Sequence, residues 1–127
     1  MYKMFNMLRT IGNMVYEVIW PPKKKPIPPK LRNQVWEKYH GKSAVGACYT
    51  CGTTLNKSHW HCSHVVAEKC GGKLTIDNLR VCCATCNVSM RKMNLYTYMY
   101  SKELYGPGRQ HMLTYIINNP LQFFSKR

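Results

Sequence analysis

The sequence predicts a small α+β domain organised around a metal ion. Three observations lead there. Two Cys-x-x-Cys pairs, Cys48/Cys51 and Cys83/Cys86, supply four thiolates at a spacing that suits tetrahedral zinc. Between and just after them lies a strand, loop, strand, helix pattern. Flanking segments repeat apolar residues at helical spacing. The gap between the two pairs, residues 52–82, exceeds the roughly 15–20 residues of a plain zinc ribbon. The extra chain must therefore form structure of its own.

At 127 residues the chain has room for one domain and a modest core, which a bound metal would help to stabilise. The net charge is +14, from 19 Lys and Arg against 5 Asp and Glu. No fold requires such an excess. It points to a polyanionic partner, most simply nucleic acid, with an anionic membrane surface as the lesser alternative. Seven cysteines, an odd count with two paired motifs, favour metal binding in a reducing, intracellular compartment over a secreted disulfide framework. Cys62, Cys70 and Cys82 are then expected to stay as thiols, although Cys82 adjoins a ligand and could compete for the metal. No run approaches the roughly 18 apolar residues of a membrane span, and the N-terminus lacks the cleavage site of a signal peptide.

Residues 1–20 read as an amphipathic helix. Met4, Met7, Leu8, Ile11, Met14, Val15, Val18 and Ile19 recur at three-and-four spacing, opposite Lys3, Asn6, Arg9, Asn13 and Glu17. Its apolar face would pack on the domain or on a second copy of the chain, as in a homodimer. Residues 21–30, PPKKKPIPPK, are a Pro/Lys-rich linker whose prolines favour extended backbone. Lys23, Lys24 and Lys25 could follow a phosphate backbone, act as an import signal, or simply be solvated. The main domain is expected over 31–105, with a C-terminal helical extension over 106–127.

Within that domain a helix runs from near Pro29 to His40 and stops at Gly41. Cys48-Tyr-Thr-Cys51-Gly52 forms a tight knuckle. Residues 59–66 read as a strand leading into a loop, Gly71-Gly72 as a turn, and Thr75 to Asn78 as another. Leu79 to Cys82 form a second strand. A helix starts near Ala84 and carries Cys86, Asn87 and Met90. Tyr96, Tyr98, Met99 and Tyr100 read as core more than as a base-stacking platform. Gly106-Pro107-Gly108 breaks the pattern before a last helix near 110–118. His59, His61 and His111 read as surface or packing residues.

A histidine on the first strand and an asparagine on the helix suit phosphodiester hydrolysis. That reaction needs a deprotonated water, charge neutralisation on the phosphate and help for the leaving 3′ oxygen. A neutral imidazole accepts the proton, and one divalent cation serves the other two needs. The motifs Arg32-x-x-Val35-Trp36, C-x-x-C-G from Cys48, S-H-V-V-A-E-x-x-G-G from Ser63 and D-N-L-R-V-C-C-A-T-C-N-x-S-M from Asp77 together resemble the HNH endonuclease family. The resemblance spans Leu31 to Leu95, about half the chain. It is greatest towards HNH proteins of large DNA viruses and phages, which would place the protein in a host cytoplasm or nucleus, or in a virion.

The resemblance implies a ββα-metal finger, treble-clef-like, with Cys48, Cys51, Cys83 and Cys86 on a structural Zn²⁺. It implies His64 as general base, Asn78 as the residue bracing the loop and orienting that base, and Asn87 as a ligand of a catalytic Mg²⁺ or Mn²⁺. It also implies nicking of DNA, preferably double-stranded. Arg91 and Lys92, on the helix expected to face DNA, could grip phosphates or lie on a solvated face. One position departs from the family pattern. Ser63 stands where Asp or His usually binds the catalytic metal, and a hydroxyl is a poor ligand for Mg²⁺. Ser63 would then bind through water, or His61 or Glu68 would assist. Otherwise the chain is an inactive, zinc-stabilised nucleic-acid-binding or virion protein on the same fold.

Overall fold

The structure is a computed structural model in which residues 5–11, 14–20 and 26–120 are described. The elements follow in the order β1 (Phe5–Ile11), β2 (Met14–Trp20), α1 (Pro29–His40), β3 (Val45–Ala47), β4 (Thr54–Asn56), β5 (His61–His64), β6 (Leu79–Cys82), α2 (Ala84–Met90), α3 (Leu95–Ser101) and α4 (Arg109–Asn118). It is a small α+β fold in which β5, β6 and α2 form the ββα core.

The predicted N-terminal helix is corrected by the structure. Residues 5–11 and 14–20 form an antiparallel pair, β1 with β2, in which Phe5 opposes Trp20 and Ile11 opposes Met14. The physical reason lies in composition. Val15, Tyr16, Val18, Ile19 and Trp20 are β-branched or aromatic and favour extended backbone. Gly12-Asn13, between the paired ends, is a sequence favoured in two-residue hairpin connections. Methionine and leucine at helical spacing mimic the other pattern. The predictions for Lys23, Lys24, Lys25 and residues 121–127 fall outside the described residues.

Helix α1 begins with Pro29 in its first turn, where a missing N–H costs nothing. It ends at Gly41, whose φ of 60° suits glycine and whose N–H bonds Glu37 O. Its Val35 and Trp36 are fully buried against the core. Trp36 Nε1 donates to Ser43 O at 2.9 Å, so the indole closes its own polar atom. Arg32 lies over the Trp60 ring at 4.0 Å and donates to the Trp60 carbonyl.

Strands β3 and β4 are three residues each, and the Cys48–Cys51 knuckle is the loop that joins them. Gly52 N donates to Cys48 O at 2.9 Å and Cys48 N to Thr53 O at 2.8 Å, which closes the loop tightly. Strands β5 and β6 pair antiparallel, with His61 opposite Cys82, Ser63 opposite Arg80 and His64 opposite Leu79. The core joins Val35, Trp36, Leu79, Val81, Leu95, Tyr96, Tyr98 and Met99. The Tyr/Met segment is thus interior, apart from exposed Tyr100.

The C-terminal helix docks on the knuckle. Gly106 N donates to Thr50 O at 3.0 Å, Gly108 N to Tyr49 O at 2.9 Å, and the Tyr49 hydroxyl meets His111 Nδ1 at 3.0 Å. A Cβ at Gly106 would lie 2.5 Å from the Thr50 carbonyl carbon and oxygen, both backbone atoms. Gly106→Ala is therefore expected to cost about 1–3 kcal/mol, read as a lowered midpoint in urea with an unchanged slope. No shift in midpoint would show that the docking yields at little cost.

Candidate functional site

The four cysteines converge from two elements. Cys48 and Cys51 come from the β3–β4 loop. Cys83 caps α2, its sulfur accepting from Cys86 N, and Cys86 sits in the first turn of that helix. Their sulfurs all lie within 4.8 Å of one another, and Cys51 and Cys83 are 3.8 Å apart. A tetrahedron with bonds of about 2.3 Å has edges of about 3.8 Å, so the spacing fits zinc. Among the described residues this is the one cluster of three or more His, Cys, Asp or Glu placed to hold a metal ion.

The electrostatics also ask for a cation. A hydrogen bond from the Cys82 thiol, helped by Thr50 and by the N–H groups of Cys51 and Cys83, pulls Cys48 down to about 3. Burial pushes Cys51 up to about 12 and raises Cys83 as well. The group therefore does not hold four thiolates unless a positive ion offsets their repulsion. Cys82 stands outside the four. It is buried, its own pKa is raised by the bond to Cys48, and it serves as a donor. Cys62 is buried and pushed up to about 11 by burial.

The second cluster straddles β5 and α2. Asn87 N bonds Cys83 O at 3.0 Å, so the cysteine-bearing turn sets Asn87 directly on the helix. The Ser63 hydroxyl donates to Asn87 Oδ1 at 2.7 Å, and Ser63 is 1% exposed. On its other side the Asn87 carboxamide donates through Nδ2 to His61 Nδ1 at 3.0 Å. His61 and Ser63 are two residues apart on one strand, and so share a face. His64 is the last residue of β5, half-buried, on the alternate face, where the chain bends away.

Asn78 fastens the loop that follows. Its Oδ1 accepts from Val66 N at 2.9 Å, and its Nδ2 donates to Val66 O at 3.0 Å and Lys73 O at 2.9 Å. Gly72 packs against Val66 and Ala67 so closely that no Cβ would fit. Asn78→Ala leaves these three backbone groups without a partner, an expected loss of about 1–3 kcal/mol. Amide exchange of residues 65–73 should quicken while that of β6 and α1 is little changed; uniform protection would contradict the bracing.

Several expected residues sit differently. Helix α2 ends at Met90, so Arg91 and Lys92 are not on it. Arg91 caps the helix with φ of 51°, and both side chains are exposed in the turn before α3. Glu68 is exposed on a short 3-10 turn, Glu68–Cys70. His111 packs on Tyr49 and His59 bonds Ser58 at the surface, as packing and surface residues. His61, expected at the surface or in packing and also named as a helper at the metal, contacts Asn87.

Residues 48–95 match the model of the HNH endonuclease family. Over this segment the chain is similar to HNH endonucleases. No curated protein and no solved structure matches the chain. The HNH segment, just over a third of the chain, contains all four cysteines together with Ser63, His64, Asn78 and Asn87. It also contains Arg91 and Lys92, at its C-terminal end. Among the described residues no helix is long and apolar enough to cross a membrane.

Proposed function

We propose that this protein is a divalent-metal-dependent endonuclease that nicks double-stranded DNA. The observation that carries the reading is the contact between Ser63 and Asn87, held across β5 and α2 beside His64 by the cysteine cluster. In the family pattern these are the metal-binding positions and the general base. The donor set is two neutral oxygens with a neighbouring imidazole, and it accepts a divalent cation, though without the carboxylate that Mg²⁺ favours. A cation there would neutralise charge on the phosphate and on the departing 3′ oxygen.

The chain's own residues supply the rest. A phosphodiester across the end of β5 would meet His64 on one flank and the Ser63–Asn87 pair on the other. Base and leaving-group side are then opposed, as in-line attack requires. His64 takes a proton from the attacking water. Asn78 fixes the loop after β5 and with it the backbone that aims His64. Arg91, Lys92 and the linker lysines Lys23, Lys24 and Lys25 neutralise backbone phosphates, with the +14 net charge behind them. One site per chain suits cutting one strand, and two copies would cut both.

One observation favours a second reading. Ser63 stands where the family usually has Asp or His and is engaged with Asn87, which suits a zinc-stabilised nucleic-acid-binding module without chemistry. The deciding experiment is conversion of supercoiled plasmid to open circles by zinc-loaded protein with Mg²⁺ or Mn²⁺. Conversion that EDTA stops supports the nuclease. Retarded migration on a gel with no conversion under either ion supports the binding module.

A further inference from the structure

The chain has few acids, and none of those with a described side chain serves the cluster. Glu37 pairs with Lys42, Asp77 pairs with Lys38, and Glu68 and Glu103 are exposed. Any cation at Asn87 must therefore draw on neutral donors. His61 offers the strongest of them. With Asn87 Nδ2 donating to it, its Nδ1 is the unprotonated nitrogen, and its lone pair faces the carboxamide. A half-turn of that carboxamide leaves its shape unchanged, brings Oδ1 beside the imidazole nitrogen and turns Nδ2 to the Ser63 hydroxyl oxygen, which then accepts from it.

The spacing suits a shared ion. Two donors at right angles around a cation, each about 2.1 Å away, lie about 3.0 Å apart. Asn87 Nδ2 lies 3.0 Å from His61 Nδ1, and the half-turn gives Oδ1 that place, while Ser63 Oγ, 2.7 Å from the other end of the carboxamide, holds it. His61 also lines a surface depression of about 340 Å³ with Ser58, His59, Trp60 and Ala84, which opens this residue to solvent.

We infer that His61 is a ligand of the divalent cation, forming with Asn87 Oδ1, steadied by Ser63, a nitrogen-bearing, carboxylate-free site that selects Mn²⁺, Co²⁺ or Ni²⁺ over Mg²⁺. This rests on reading Asn87 and Ser63 as the catalytic-metal position. Imidazole binds late first-row ions well, whereas Mg²⁺ keeps its waters unless carboxylates or phosphates displace them. The missing carboxylate is thus answered from two residues upstream on the same face of the strand, and the choice of metal changes with it.

The test uses the zinc-loaded full chain and Mn²⁺ itself, followed by electron spin resonance of the free ion. Wild type should bind Mn²⁺, with Mg²⁺ competing at least about tenfold more weakly. His61→Ala and Asn87→Ala should each weaken binding by about tenfold or more, and His59→Ala, altering the neighbouring surface histidine, should not. Zinc content and circular dichroism confirm that each variant is folded. His61→Asp supplies a second arm: it restores a carboxylate and should raise Mg²⁺ affinity about tenfold over wild type. Mn²⁺ binding indifferent to His61→Ala, or Mg²⁺ bound as well as Mn²⁺ by wild type, overturns the assignment. Mn²⁺ held through His61 by a protein that cuts no DNA would sustain it while overturning the nuclease. Mg²⁺-driven nicking that survives His61→Ala would do the reverse.

Discussion

His64→Ala is expected to lower plasmid nicking by about a hundredfold to ten-thousandfold, the range that a positioned general base contributes. The substitution removes the imidazole at the end of β5 and leaves the zinc ligands, the Ser63–Asn87 contact and the β5–β6 ladder in place. Zinc content and cation binding should therefore match wild type, and thermal unfolding should move little for a half-buried side chain at a strand end. The loss should fall on kcat and not on KM, because His64 acts on water and not on DNA affinity. Equal cutting by His64→Ala and wild type would remove His64 from the chemistry. A parallel loss of zinc would make the defect structural.

Stripping the zinc, with a strong chelator or by Cys86→Ser, is the second change with a large expected effect. Structural zinc sites of this ligand type contribute apparent binding energies of about 10–16 kcal/mol in small peptides. That equals or exceeds the roughly 5–15 kcal/mol total stability of an ordinary domain. The four ligands tie the β3–β4 loop to the start of α2, which are otherwise joined by the Cys83 N–H bond to Cys48 Sγ and through the core. Without the ion, α2 loses its anchor, and Asn87, one residue after Cys86, loses its register against Ser63. Loss of cooperative unfolding and of nicking together, both restored by zinc, is the expected outcome. A metal-free chain that melts at the wild-type temperature would show that the cluster does not support the fold.

Much of this was legible in the sequence, for reasons that differ by element. The core strands, Leu79–Cys82 above all, and helix Ala84–Met90 are bounded by local signals: the turn at Thr75 to Asn78 and a cysteine cap. Pro29 and Gly41 bound α1 in the same way. Residues 5–20 defeat the same approach, because their methionines and leucines satisfy helical spacing while the pairing energy of a hairpin is non-local. Strands β3 and β4 are too short to show alternation, and only the knuckle between them is visible. His61 and Asn87 lie 26 residues apart, so no pattern along the chain announces their contact. The same holds for Tyr49 and His111, 62 residues apart.

That last contact bears on where this protein can be cut. The family match ends at Leu95, yet Gly106, Gly108 and His111 lie against Tyr49 and Thr50, the two residues between the first pair of zinc ligands. A fragment trimmed to the matched segment would bare the outer side of the knuckle and strip Met112 from the core. The stretch that matches the family is shorter than the stretch that folds. Limited proteolysis would find the difference: with zinc bound, a protease that enters the chain after α3 should release no C-terminal piece until the knuckle itself opens.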